Sequence, residues 1–313
     1  MSLACGIDVG GTKIAGGVVD ERGSILEELV VESPATDVPA IEAAIEKLVT
    51  ELRTRHPIDA VGVGAAGYID KARAVVLFAP NLAWRDLDLK ADLEQALGLP
   101  VVVENDANAA AWGEFQYGAG HDVDDLLLIT VGTGVGGGVV LDGSLYRGAF
   151  GVGAEIGHMR VVPDGILCGC GNRGCFEMYA SGSALVRETR AAARAGSLLA
   201  ADLLERAGGD PDAITGPLVT DAARAGDAFA IEHLASLGRW LGDGIASLTA
   251  VLDPAVVVIG GGVSAADELL LAPARAAFAA QLTGRGHRPM LEIRKARLGN
   301  RAGLIGAADL TRH

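Results

Sequence analysis

Apolar residues recur at helical spacing in three stretches: "DVPAIEAAIEKLVTELRTRH" (37–56), "SALVRETRAAARAG" (183–196) and a long run from about Thr220 to Leu252. Positions three and four apart share a face there, which predicts amphipathic helices. Between them lie short runs dense in β-branched and apolar residues: "LACGIDV" (3–9), "DAVGVGA" (59–65), "PVVVEN" (100–105), "DLLLITV" (125–131), "PAVVVIGGG" (254–262) and "MLEIRKA" (290–296). These are predicted strands, and their alternation with helices predicts an α/β fold. Two segments echo one another. "VGGTKIAGGVVD" (9–20) and "VGTGVGGGVVLD" (131–142) each hold the end of a strand, a Gly/Thr turn and a second Gly/Val strand, so the chain reads as a duplication. The turn-rich "QYGAGHDVDD" starting at Gln116 is the expected junction. A boundary near Gly120 gives domains 1–119 and 120–299, with a C-terminal helix at about 300–313 packing back on the first.

Length agrees, since 313 residues suit two domains of roughly 150. Half the residues are apolar, enough for a sizeable core. Forty acidic residues against 26 basic ones leave a formal charge of −14, a field that repels nucleic acid and anionic lipid. The opening "MSLACGIDVGG" has no basic n-region and reads as a first strand, not a signal peptide. "GIASLTAVLDPAVVVIGGG" is cut by Asp253 and Pro254 before it reaches the ~18 residues a bilayer span needs. The expectation is a cytoplasmic protein without nucleic-acid or membrane partners.

Gly62-x-Gly64-x-x-Gly67 and Gly132-x-Gly134-x-x-Gly137 spell the dinucleotide fingerprint, but neither is followed by the helix that fingerprint requires. No Gly-Lys-Ser/Thr occurs, which removes a Walker loop. A strand, glycine turn and strand can still meet phosphate, because backbone N–H groups in a tight turn form an anion-binding concavity that glycine leaves unshielded. Two such hairpins could grip one polyphosphate, with Thr12 and Thr133 as donors and Asp8 beside the metal and phosphates. The plainer alternative is a pair of ordinary hairpin turns.

Cys168, Cys170 and Cys175 form C-x-C-x4-C, with His158 ten residues upstream. Three readings stand: a closed tetrahedral zinc site, a redox dithiol, or unrelated buried thiols. Cys5, alone in a strand, reads as a small apolar residue. In "ENDAN", Asn105 and Asp106 open a helix and are either caps or chemistry, while Glu104 reads as structural. Asn81 in "APNLAW" is either a turn residue or a polar contact, and Trp84 reads as packing. "VVVIGGGVSAADELL" (256–270) predicts a strand, a glycine turn and a helix with Ser264 as N-cap. Its turn either meets a nucleotide or serves tight packing.

"IDVGGTK" (7–13) resembles the first phosphate loop of the ROK family (repressors, open reading frames, kinases). "VGTGVGGGVVLDGSLYRGAFGVGAEIGHM" resembles its second signature, and "ENDANAAAWGE" and "CGCGNRGCFE" extend the likeness over nearly the whole chain. The pattern is closest to the family's bacterial glucokinases. The resemblance implies an α/β fold of two actin-like (ribonuclease H-like) domains with the active site in the cleft, and ATP-dependent phosphorylation of glucose at its 6-hydroxyl. It assigns Asp106 as general base. It also places sugar contacts at Gly67, Asn81, Asn105, Asp106, Glu155, His158 and Glu177. Nucleotide contacts follow at Asp8, Gly10, Gly11, Thr12 and Lys13, at Gly132, Thr133 and Gly134, and at Gly260, Gly261 and Gly262. Mg2+ would bridge the phosphates, and structural Zn2+ would sit on His158, Cys168, Cys170 and Cys175. The family also implies a homo-oligomer, dimer or tetramer. Ala66 departs from the pattern, standing where a proline is expected before Gly67. Two rivals are a kinase for fructose, mannose or N-acetylmannosamine, and a sugar-responsive repressor. The repressors carry a DNA-binding domain ahead of the first phosphate loop; with Asp8 near the start, an acidic chain, and both phosphate loops and Asp106 intact, a repressor is not the expectation.

Overall fold

A computed structural model describes residues 2–313. Its strands are β1 Leu3–Val9, β2 Lys13–Val19, β3 Ile25–Glu32, β4 Ile58–Ala65, β5 Tyr68–Ile69, β6 Val76–Phe78, β7 Arg85–Leu87, β8 Val101–Asn105, β9 Leu126–Val131, β10 Val135–Leu141, β11 Ser144–Tyr146, β12 Val256–Gly260 and β13 Glu292–Lys295. The helices are α1 Val38–Arg53, α2 Leu89–Leu97, α3 Asp106–Tyr117, α4 Glu177–Ala180, α5 Gly182–Arg194, α6 Ala201–Arg206, α7 Gly216–Arg224, α8 Ala228–Leu252, α9 Glu268–Gln281 and α10 Ala302–Leu310. Two five-stranded sheets run β3-β2-β1-β4-β8 and β11-β10-β9-β12-β13. In the first, β1 and β2 pair antiparallel while β1, β4 and β8 run parallel. The second repeats that order around its own glycine hairpin, the structural counterpart of the sequence repeat. This is the actin-like α/β architecture.

Two compact units result, one of Met1–Leu128, Gly137–Ala154 and Ala296–His313, the other of Ile129–Gly136 and Glu155–Lys295. In the first, α1 begins at Asp37, whose carboxylate accepts from Ala40 N at 3.2 Å, and it buries Ile41, Ile45, Leu48, Val49 and Leu52 in a helical stripe. That stripe meets Ile7, Ile14 and Val63 in the larger core. The opposite face of the sheet receives α10, whose Leu304, Ile305 and Ala308 pack on Ala4, Ala15 and Val19. The approach is so close that a Cβ on Gly6 or Gly62 would stand 1.9 Å from Leu304 O or 1.7 Å from Ala307 O. Glycine in these strands is therefore a packing requirement.

Two expectations are corrected. The run from Thr220 to Leu252 is not one helix, because α7 ends at Arg224, Gly226 adopts φ +92° and Asp227 caps α8 through Ala230 N at 2.9 Å. Ser264 is not an N-cap. It lies in a 3-10 turn, Gly262–Ala266, where its hydroxyl donates to Gly261 O at 2.7 Å, and α9 starts only after Asp267.

Candidate active site

Within the first unit the chemistry gathers at the end of β8. Asn105 closes the strand and caps α3, its Oδ1 accepting from Asn108 N at 3.0 Å, while its Nδ2 donates to Gly67 O at 3.1 Å. Asn105 is thus the cap, and Asp106 is the first helical residue. Gly67 can be nothing larger, since a Cβ would come 2.5 Å from Phe78 O. Burial pushes the Asp106 carboxyl above the usual carboxylate range, against the pull of the Ala107 N–H that donates to it at 2.9 Å. Asp8, on β1, is pushed up to about 6 by burial and then by the charge of Asp106, with Lys13 opposing. Two neighbouring carboxylates, each of raised proton affinity, make a site for a cation or a transferable proton. The turn after β1 is closed by Gly10 N donating to Lys13 O at 3.0 Å. Gly11 and Thr12 are exposed at its tip, and Gly11 lies against Asn81, which is exposed too.

Within the second unit, the turn from Gly132 to Gly134 is closed by Gly132 N donating to Gly134 O at 3.0 Å. The start of α5 packs on it, with Gly182 N donating to Gly132 O at 2.8 Å. At the end of β12, Gly261 takes φ +78° against the backbone of Val131, the conformation glycine allows at low cost. Gly132, Thr133 and Gly262 line one wall of a cavity of about 850 Å3. Its other walls carry Arg187, Arg190 and Arg194 of α5 and Arg224 of α7. The sequence reading did not single out these arginines. Their spacing of three and four within "RETRAAAR" was the available signal. Each is anchored: Arg187 to Met178 O at 2.6 Å, Arg190 to Ile214 O at 2.9 Å, Arg194 to Asp212 and Arg224 to Ala265 O at 2.6 Å.

The cysteine loop belongs to this unit. His158 and the three cysteines place one ligand atom each within 4.8 Å of one another. His158 Nδ1 is 3.7 Å from Cys168 Sγ, and Cys170 and Cys175 sulfurs are 3.6 Å apart. Burial pushes the Cys168 thiol up, and the Glu177 carboxylate, accepting from it at 3.0 Å, adds to that. A divalent cation would reverse that bias by stabilising thiolate, so the donor set fits zinc in number and kind. The loop ties the sugar-side candidates together: His158 N donates to Glu155 O at 3.1 Å, and Glu177 Oε1 lies 3.7 Å from His158 Nδ1. Glu177 also faces the glycine turn, where a Cβ on Gly134 would stand 2.7 Å from its Oε2.

Residues 4–313 match the ROK family. The chain is 50% identical over 312 residues to glucokinase of Streptomyces coelicolor, covering 100% of this chain and 98% of that protein. It is 38% identical over 316 residues to glucokinase of Halalkalibacterium halodurans, covering 98% and 94%. A solved ROK family glucokinase from Streptomyces griseus, in complex with glucose and AMPPNP, is similar with a TM-score of 0.91 and 52% identity over 99% of both chains.

Proposed function

The chain belongs to the ROK family, and on that footing we propose that it is a glucokinase, transferring the γ-phosphoryl group of ATP to the 6-hydroxyl of glucose. The end-to-end likeness to glucokinases carries this reading. The geometry supplies a mechanism. Asp106 takes the hydroxyl proton; its raised proton affinity makes it a better acceptor than an exposed aspartate at ~3.9. In a loose transition state the proton leaves late, so placement matters more than basicity, and placement is what Asn105 and Gly67 provide. One N–H of Asn105 Nδ2 remains for a sugar hydroxyl beside the one spent on Gly67 O. Asn81, Glu155, His158 and Glu177 are the further sugar contacts; with His158 Nδ1 on the sulfurs, Nε2 is left for a hydroxyl.

The turns at Gly10–Lys13 and Gly132–Gly134 offer backbone N–H groups to phosphates, and Gly260–Gly262 with the adjoining cavity takes the nucleoside. Asp8 would hold Mg2+, which supplies charge neutralisation on the phosphates when bound. Zinc would be held by His158, Cys168, Cys170 and Cys175, and its service would be to fix the loop bearing Glu155 and Glu177. We read the setting as cytoplasmic; among the described residues no helix is long and apolar enough to cross a membrane. A homo-oligomer is supported by Leu198 and Leu199, 93% and 70% exposed side by side. A coupled assay of ADP release across a hexose panel tests the reading. Glucose should give the highest kcat/KM, and a tenfold preference for fructose, mannose or N-acetylmannosamine would overturn glucose as substrate while leaving the family intact.

A further inference from the structure

Immediately before the Asn105–Asp106 pair, Glu104 is fully buried, and all of its partners lie in the first unit. Its Oε1 accepts from Asn105 N at 2.9 Å and from Asn108 Nδ2 at 3.1 Å, joining the last strand residue to the first turn of α3. Its Oε2 accepts from Arg73 Nε at 3.1 Å and lies 2.7 Å from Arg147 Nε, in ion-pair contact but not aligned for a hydrogen bond. Arg147 is itself buried, and its two terminal nitrogens donate to Lys71 O at 2.9 Å and Asp70 O at 2.8 Å. Arg73 takes a left-handed φ of +58° and accepts from Val103 N at 3.0 Å.

A buried carboxylate needs one counter-charge and a few donors to be tolerated. This one has two guanidiniums and two donors, and the donors are Asn105 N, just before Asp106, and Asn108 Nδ2, two residues after it. Stability alone is a weak account of such a cluster, because buried ion pairs often contribute no more than well-packed apolar residues would. Geometry is the stronger account. Asp106 sits at the strand-to-helix junction, and a carboxylate bridging both sides of that junction fixes the direction in which Asp106 leaves the backbone. Displacement of a reacting group by ~1 Å can cost about a hundredfold in rate.

We propose that Glu104, clamped by Arg73 and Arg147, is a positioning residue for the base, acting on turnover through Asp106. The proposal rests on Asp106 being the general base, and a double-mutant cycle separates the two. Glu104→Gln should lower kcat by roughly thirtyfold, with glucose Kd by calorimetry within about threefold of wild type; in an Asp106→Asn background the same change should cost less than about threefold, because residues acting as a unit are not additive. If Asp106→Asn alone keeps more than a tenth of kcat, the base assignment falls. If Asp106→Asn is crippled and Glu104→Gln costs the same factor in both backgrounds, or weakens glucose instead of slowing turnover, the positioning role falls. Should Glu104→Gln not fold by circular dichroism, Arg73→Gln replaces it in the same cycle. Arg73 is a quarter exposed and its loss leaves Arg147 to neutralise the carboxylate. A loss of roughly tenfold confined to the Asp106 background is then expected, and an equal loss in both overturns the proposal.

Discussion

The two turns share a Gly/Thr composition and the same place in their sheets, yet what surrounds them has nothing in common. Behind Gly10–Lys13 stand carboxylates, Asp8 and Asp106, each made reluctant to ionise by burial. Beside Gly132–Gly134 stand a large cavity edged with arginines and a loop of sulfur ligands. If both turns meet phosphate as proposed, the duplicated part is a backbone device for presenting N–H groups, while the chemistry comes from the elements packed against it. On the proposed reading it is proton and cation handling in one unit, and nucleotide binding and the ordering of a sugar loop in the other.

The sharpest way to break that division is at Asp106. Asp106→Asn should lower kcat by roughly 10²- to 10⁴-fold without lowering thermal stability, since Asn105 and not Asp106 caps the helix and burial disfavours the Asp106 charge that the change removes. Stopped assays of kcat beside melting curves decide it, and retention of a tenth of kcat would remove the proton handling from the first unit. Next comes Asp8. Its folded value of about 6 stands above the ordinary 3.8, so the folded protein binds the proton more tightly and stability falls as pH rises between those values. Asp8→Asn should therefore raise Tm at pH 8, by as much as ~3 kcal/mol in stability, and change little at pH 4, measured in magnesium-free buffer. An equal effect at both pH values would contradict the buried-carboxylate pairing.

On the second side, protein purified without added metal should carry about one zinc per chain by elemental analysis. Cys170→Ser, at the one exposed thiol of the cluster, should reduce that content and raise the glucose KM roughly ten- to a hundredfold. Zinc-free protein that binds glucose normally would show the loop to be self-supporting. The smallest effect expected is from Arg190→Ala in the cavity wall: an ATP KM higher by about threefold to tenfold at unchanged glucose KM. A matching rise for glucose would mean that the cavity does not belong to the nucleotide.

What could be read in the sequence followed from local rules. The stripe of α1, the strands on either side of each glycine turn and the ligand spacing of the cysteine loop are written in consecutive residues. The break between α7 and α8 escaped because its apolar pattern runs straight through Gly226, whose left-handed φ leaves no mark on periodicity. Ser264 misled because an N-cap residue serves equally well inside a 3-10 turn. Glu104 reads from the sequence as structural, but its partners Arg73 and Arg147 are 31 and 43 residues away along the chain, and only folding brings the three together. The cavity arginines were hidden for a different reason: on a surface helix, arginines at such spacing are ordinary until the opposite wall exists.

The seating of α10 against Gly6 and Gly62 sets an order in time as well as in space. Ala302–Leu310 leaves the ribosome about 290 residues after β1, the first of the strands it covers, with the whole second unit made in the interval. Until then one face of the first sheet, with Ala4, Ala15 and Val19, is without its lid. The half of the protein that is synthesised first is thus the half that is completed last, and during synthesis it is the nascent first sheet, not the later unit, that most needs shielding from other chains.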